Sequence, residues 1–155
     1  MTGTDHGPGV RVPPPFIYLG GFGLGMLIEV VMPLRTLPRP ANVVVGIVLI
    51  ALGLVLVAPS AALFQRAGTN LAPHRPTTAL VFTGPYRFTR NPIYVGFAVI
   101  YAGAAVWSGT TWALILLPLV LVVIRRAVIA REERYLEATY GQEYLEFKAR
   151  VRRWL

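Results

Sequence analysis

Two stretches of this chain hold most of the side chains that could do chemistry. Gly84-Pro-Tyr-Arg-Phe-Thr-Arg-Asn-Pro-Ile-Tyr-Val-Gly96 gathers two arginines, two tyrosines and an asparagine into thirteen residues. The second is Arg131-Glu132-Glu133-Arg134, and apart from Asp5 and Glu29 no acid precedes it. Adjacent carboxylates suit a cation, whereas arginines suit a carboxylate or phosphate. Asn91-Pro92 adds to the second function. Asn is a favoured N-cap and Pro a favoured first helical residue, so the pair starts a helix. The unpaired N–H groups and positive dipole end of that helix attract an anion.

Each feature also has a plainer explanation. Arg87 and Arg90 serve equally as membrane-surface anchors, and Tyr86, Tyr94 and Trp107 as interfacial aromatics. Gly84-Pro85 makes a turn and Gly96 allows a close helix contact. Glu132 and Glu133 pair readily with Arg131, Arg134 or nearby basic residues on a solvated helix end, a contact worth at most ~1 kcal/mol. The density of such residues favours a ligand site. Other chemistry is excluded: with no cysteine there is no disulfide, thiolate zinc site or thiol nucleophile. His6 and His74 are too few and too far apart to hold a metal. Gly20-Gly21-Phe22-Gly23-Leu24-Gly25 lacks nucleotide-fingerprint spacing, and Gly21 and Gly25 suit helix packing. Glu29, ionisable inside an apolar segment, is a weaker candidate that can snorkel toward Arg35.

The elements that position these residues are membrane helices. Of 155 residues 55% are hydrophobic and 14% charged, against roughly 25% charged in soluble domains. Four apolar segments are predicted: Phe16–Leu34, Ala41–Phe64 with Pro59 inside, Pro92–Trp107, and Trp112–Ala130 with Pro118 inside. Ser108-Gly-Thr-Thr111 forms a tight turn between the last two. Residues 1–15 read as a flexible tail, 16–64 as a two-helix membrane segment, and 65–155 as the segment bearing the site. Tyr144, Phe147, Val151 and Trp154 recur at helical spacing opposite Lys148, Arg150, Arg152 and Arg153. That pattern predicts an amphipathic helix lying on lipid headgroups. The fold class is therefore all-α integral membrane, with four transmembrane helices and a C-terminal interfacial helix. Arg and Lys placement puts both termini and the Gln65–Asn91 loop on the cytoplasmic side. The net charge of +8 suits anionic membrane lipid, and its clustering beside membrane segments argues against nucleic acid as partner.

The block Gly84-Pro-Tyr-Arg-x-x-Arg-Asn-Pro-x-Tyr-x-Gly96, then Glu132-Glu133, then Tyr140-Gly-x-Glu-Tyr-x-x-Phe-Lys-x-Arg-Val151, resembles the isoprenylcysteine carboxyl methyltransferases and the related membrane phospholipid methyltransferases. The resemblance runs from about Gly68 to Val151. It implies S-adenosylmethionine as cofactor, lined by Tyr86, Arg90, Asn91, Pro92, Tyr94, Gly96, Glu132 and Glu133. It also implies Arg87 and Arg90 as the catalytic pair, with Arg87 in the pocket or at the substrate, a lipophilic small molecule. Isoprenylcysteine enzymes typically carry His where this chain has Asn91, and phospholipid-type enzymes tolerate Asn. That change leaves the cofactor site intact and weakens the case for a prenylated protein as substrate. The short loops suit a prokaryotic plasma membrane. Two alternatives stand beside this reading: an NADPH-dependent reductase of the sterol-reductase type, and a non-catalytic lipid-binding protein.

Overall fold

The computed structural model describes residues 7–34, 40–69 and 77–154; Arg35, His6 and His74 lie outside them. Helix α1 spans Pro14–Val31, α2 Ala41–Arg66, α3 Pro92–Ser108 and α4 Thr111–Ile124. A wide π-helical turn, Arg125–Ile129, joins α4 to α5 (Ala130–Tyr140), and α6 covers Gln142–Arg150. A single 3-10 turn, Gly84–Arg87, precedes α3. No strand occurs among the described residues. Three stretches are long and apolar enough to cross a bilayer: Pro14–Val31, Ala41–Arg66 and Thr111–Tyr140. Pro92–Ser108 is apolar but shorter. Pro59 and Pro118 both lie inside unbroken helices.

Small residues let these helices approach closely. A Cβ at Gly96 would sit 2.5 Å from Val57 Cγ2 and 2.9 Å from the Gly53 carbonyl oxygen, so α3 meets α2 backbone to backbone. Gly25 does the same for α1 and α4, where an added Cβ would lie 2.6 Å from Ala113 Cα. Gly96 is therefore a packing residue facing α2. Leucine at Gly96 overpacks this contact at a cost of roughly 1–3 kcal/mol. We expect Gly96→Leu to lower the melting temperature in detergent by several degrees. An unchanged melting curve would contradict this packing.

Polar groups pin the two ends of the bundle. At one end Glu29 Oε2 accepts the Trp112 backbone N–H at 3.1 Å, and Trp112 Nε1 donates to the Met32 carbonyl at 2.7 Å. Glu29 is thus the carboxylate cap on the N-terminus of α4, where the helix dipole favours negative charge. At the other end Tyr18 on α1 donates to the Tyr94 carbonyl at 2.9 Å. The start of α3 and the extension of α4 into α5 also lie at that end.

Two expectations for the terminal segments change. Residues 7–15 are packed rather than free: Val10 is 7% exposed, Pro14 is buried, and Arg131 Nη1 donates to the Gly9 carbonyl at 3.0 Å. The C-terminal helix is not one interfacial rod. Gly141, at φ +53°, separates α5 from α6 in a conformation that favours glycine. The apolar stripe turns inward, with Tyr144 and Phe147 buried in a cluster that includes Tyr86, and the Phe147 ring 4.8 Å from the Phe82 ring at a 59° tilt. Helix α6 ends at Arg150, and Val151 leaves it in extended conformation, so Trp154 lies beyond the helix.

Candidate active site

A cavity of about 390 Å³ opens at the end of the bundle where α3 and α5 begin. Its walls are mostly apolar, and its polar groups are few and convergent, the pattern of a small-molecule pocket. Arg90, Asn91 and Tyr94 reach it from the start of α3, Tyr86 from the 3-10 turn, and Glu132 and Glu133 from α5. The π-helical turn precedes the two glutamates by only a few residues, in keeping with the frequent placement of such turns at functional sites.

The two glutamates have different surroundings. Glu133 is 6% exposed and accepts a two-pronged contact from Arg153: Nε to Oε1 at 3.0 Å and Nη2 to Oε2 at 2.6 Å. Arg90 Nη1 lies 3.4 Å from the same Oε1. Glu132 has no ion-pair partner among the described residues. Its Oε1 accepts the Tyr94 hydroxyl at 2.7 Å, and nothing among the described residues donates to its Oε2. The expected pairing of either carboxylate with Arg131 or Arg134 is absent there; Arg134 Nε bonds the Ala130 carbonyl of its own helix.

Arg90 completes the asymmetry. Its side chain is 8% exposed, yet Nε and Nη1 make no hydrogen bond. Buried guanidinium donors without acceptors are costly and rare, and Arg90 is one of the residues that line the cavity. Its backbone is fixed, since the Arg90 N–H donates to the Arg152 carbonyl at 2.9 Å. The Arg153 carbonyl accepts from Thr89 Oγ1 and from Asn91 Nδ2, each at 3.0 Å. Asn91 therefore spends its side chain on the C-terminal segment, while its carbonyl starts α3 by accepting the Val95 N–H at 3.0 Å.

Burial raises the hydroxyl pKa of Tyr86, with the Glu132 charge adding to the effect. Burial also pushes Tyr144 up to about 12, Glu133 adding and Arg90 opposing. Neither phenol is a base at neutral pH. The hydrogen bond to Glu133 raises Arg153 further above its ordinary value, holding it as a cation.

The sequence-predicted residues thus divide. Tyr86, Arg90, Asn91, Tyr94, Glu132 and Glu133 meet at the cavity. Pro92 is buried at the head of α3 without lining it, and Gly96 faces α2. Arg87 is exposed beside Phe88, itself 74% exposed, and does not border the cavity. Missed were Arg153 and Thr89, which tie the site together, and Tyr144 and Phe147, which wall it. Pro8, Pro13, Pro14 and Pro15 form a further wall from the N-terminal segment, outside the expected 65–155 boundary.

Apolar helices long enough to span a bilayer and a cavity at one end of the bundle lined by oppositely charged groups define a small membrane protein with a candidate ligand site. The family model for phospholipid methyltransferases matches residues 41–143. The chain belongs to that family, whose members are membrane methyltransferases. A protein of Haemophilus influenzae, described only as uncharacterized, is 38% identical over 63 residues, which cover 41% of this chain and all of the relative. No solved structure matches.

Proposed function

We propose that this protein transfers a methyl group from S-adenosylmethionine to a lipophilic acceptor, a carboxylate or amine of a lipid-like molecule. One observation carries the reading: the cavity presents an anion-seeking and a cation-seeking group side by side, Arg90 facing Glu133 at 3.4 Å without a hydrogen bond and Glu132 engaged, among the described residues, only through Oε1. Arg90 offers two buried donors without acceptors, and Glu132 a carboxylate without a cation. S-adenosylmethionine bears a carboxylate, an ammonium and a sulfonium, so the residues fit it. Arg90 would hold the carboxylate, and Glu132 would face the positive groups. The apolar walls and Tyr86 would exclude water. Glu133 stays with the two arginines.

The bound cofactor supplies an electrophilic methyl group. This chain's part is alignment and a dry, fixed-charge surrounding, as befits an in-line displacement. A carboxylate acceptor needs no proton removed. For an amine acceptor, Glu132 Oε2 is the cavity's unengaged carboxylate oxygen and the group placed to take the proton.

Four spans with the cavity on the cytoplasmic side of a prokaryotic plasma membrane complete the proposal. Support comes from the basic residues, since Arg66, Arg87, Arg90 and the eight from Arg125 onward fall at or beyond the cavity end of the helices. Family membership favours methyl transfer over nicotinamide-dependent reduction. The test is transfer of label from methyl-labelled S-adenosylmethionine into the organic-soluble fraction when purified protein is given a mixed lipid extract. Label in that fraction, absent with Arg90→Ala, is expected. No labelling with any lipid fraction, alongside oxidation of NADPH, would overturn the reading.

A further inference from the structure

Arg153 stands ten residues beyond the segment that matches the family, yet it bonds Thr89, Asn91 and Glu133 at the site. Its carbonyl accepts from Thr89 and Asn91, and its guanidinium takes both oxygens of Glu133. Glu133 is the acceptor nearest to Arg90 among the described ion pairs, 3.4 Å from Nη1, but no hydrogen bond forms. We propose that Arg153 is a positioning residue: by occupying Glu133 it keeps the Arg90 guanidinium available to the anionic group of the ligand. The proposal rests on the ligand reading above.

Charge balance explains why two arginines are present. Arg90, Arg153, Glu132 and Glu133 sum to zero. Arg153 and Glu133 form a closed pair, 28% and 8% exposed in their side chains. Arg90, 3.4 Å from the same Glu133 without a hydrogen bond, and Glu132 remain as the more weakly held positive and negative groups, matched to a ligand carrying both charges. Without Arg153, Glu133 is left with Arg90 as its only cation. The short gap between them closes, and the anion site is filled by the protein's own carboxylate. The backbone anchors at Arg152 and Arg153 use carbonyl groups, which survive side-chain replacement.

The experiment compares two ligands by calorimetry in detergent: S-adenosylhomocysteine, and methylthioadenosine, which lacks the amino-acid end. Arg153→Ala weakens S-adenosylhomocysteine by about tenfold or more, as loss of charge-assisted contacts requires, and leaves methylthioadenosine nearly unchanged. Adding Glu133→Gln to Arg153→Ala restores most of the lost affinity, because it frees Arg90 again. Equal losses for both ligands, or a double variant worse than the single one, would overturn the proposal. A ligand-free arm separates it from the cofactor reading. In thermal melting, the coupling between Arg90→Gln and Glu133→Gln grows when Arg153 is alanine. Unchanged coupling refutes the role of Arg153 even if neither ligand binds the native protein.

Discussion

Replacing Arg90 with alanine is expected to remove measurable S-adenosylhomocysteine binding while the helices stay folded. Two buried donors are lost, each worth roughly 1.5–3 kcal/mol when bonded to a charged group. Together they amount to an affinity loss of roughly 100-fold or more. Folding should survive because Glu133 keeps its two-pronged contact with Arg153. Calorimetry and thermal melting on the same preparation check both halves. Retained affinity would mean that the ligand's anionic group lies elsewhere.

The second large effect falls on stability. Glu133 is the negative charge beside two guanidinium groups, one of which has a side chain only 8% exposed. Glu133→Ala leaves both positive charges uncompensated. Breaking a buried pair from one side costs roughly 3–5 kcal/mol, and for a chain of this size that lowers the melting temperature by roughly 10 °C. Arg153→Ala should cost less, since Arg90 remains to face Glu133. A Glu133→Ala protein that melts like the native one would show that the arginine–glutamate cluster contributes little to the fold. The two neighbouring glutamates, alike in sequence, thus differ in their surroundings among the described residues: Glu133 faces two arginines and Glu132 only the Tyr94 hydroxyl.

Much of the scaffold is legible in the sequence because hydropathy and helix-start chemistry are local signals. Asn91-Pro92 does begin α3, and Gly109 at φ +75° does end it in the turn before Thr111. The first helix starts two residues earlier than its apolar run, at Pro14, since proline is tolerated in a first helical turn. Of the residues that the density argument singled out, Tyr86, Arg90, Asn91, Tyr94 and the glutamate pair line one cavity. It could not sort neighbours within the motif, because pointing into a cavity, into another helix or into solvent depends on tertiary geometry. Gly96 went to the α2 contact and Arg87 to the surface for that reason.

What escaped detection had an ambiguous pattern. The Tyr144 and Phe147 stripe looks the same whether it faces lipid or a protein wall, and here it covers Tyr86. Arg153 is one of eight basic residues from Arg125 onward, and nothing in its sequence setting separates a pairing arginine from a lipid-facing one. The proline wall at the N-terminus has no periodicity at all, so its Gly/Pro-rich composition reads as a tail. Glu29 was visible as an expensive intramembrane carboxylate. Its partner on α4, the backbone N–H of Trp112, lies 83 residues away and carries no side-chain signature.

The most direct measurement of the central claim is calorimetric binding of S-adenosylhomocysteine to the detergent-purified protein, with Glu132→Gln and NADPH alongside. Binding at one site per chain is expected, weakened roughly tenfold in Glu132→Gln by loss of a charge-assisted contact, with no heat from NADPH. Binding of NADPH in place of S-adenosylhomocysteine, or equal affinity in the Glu132→Gln variant, would contradict it.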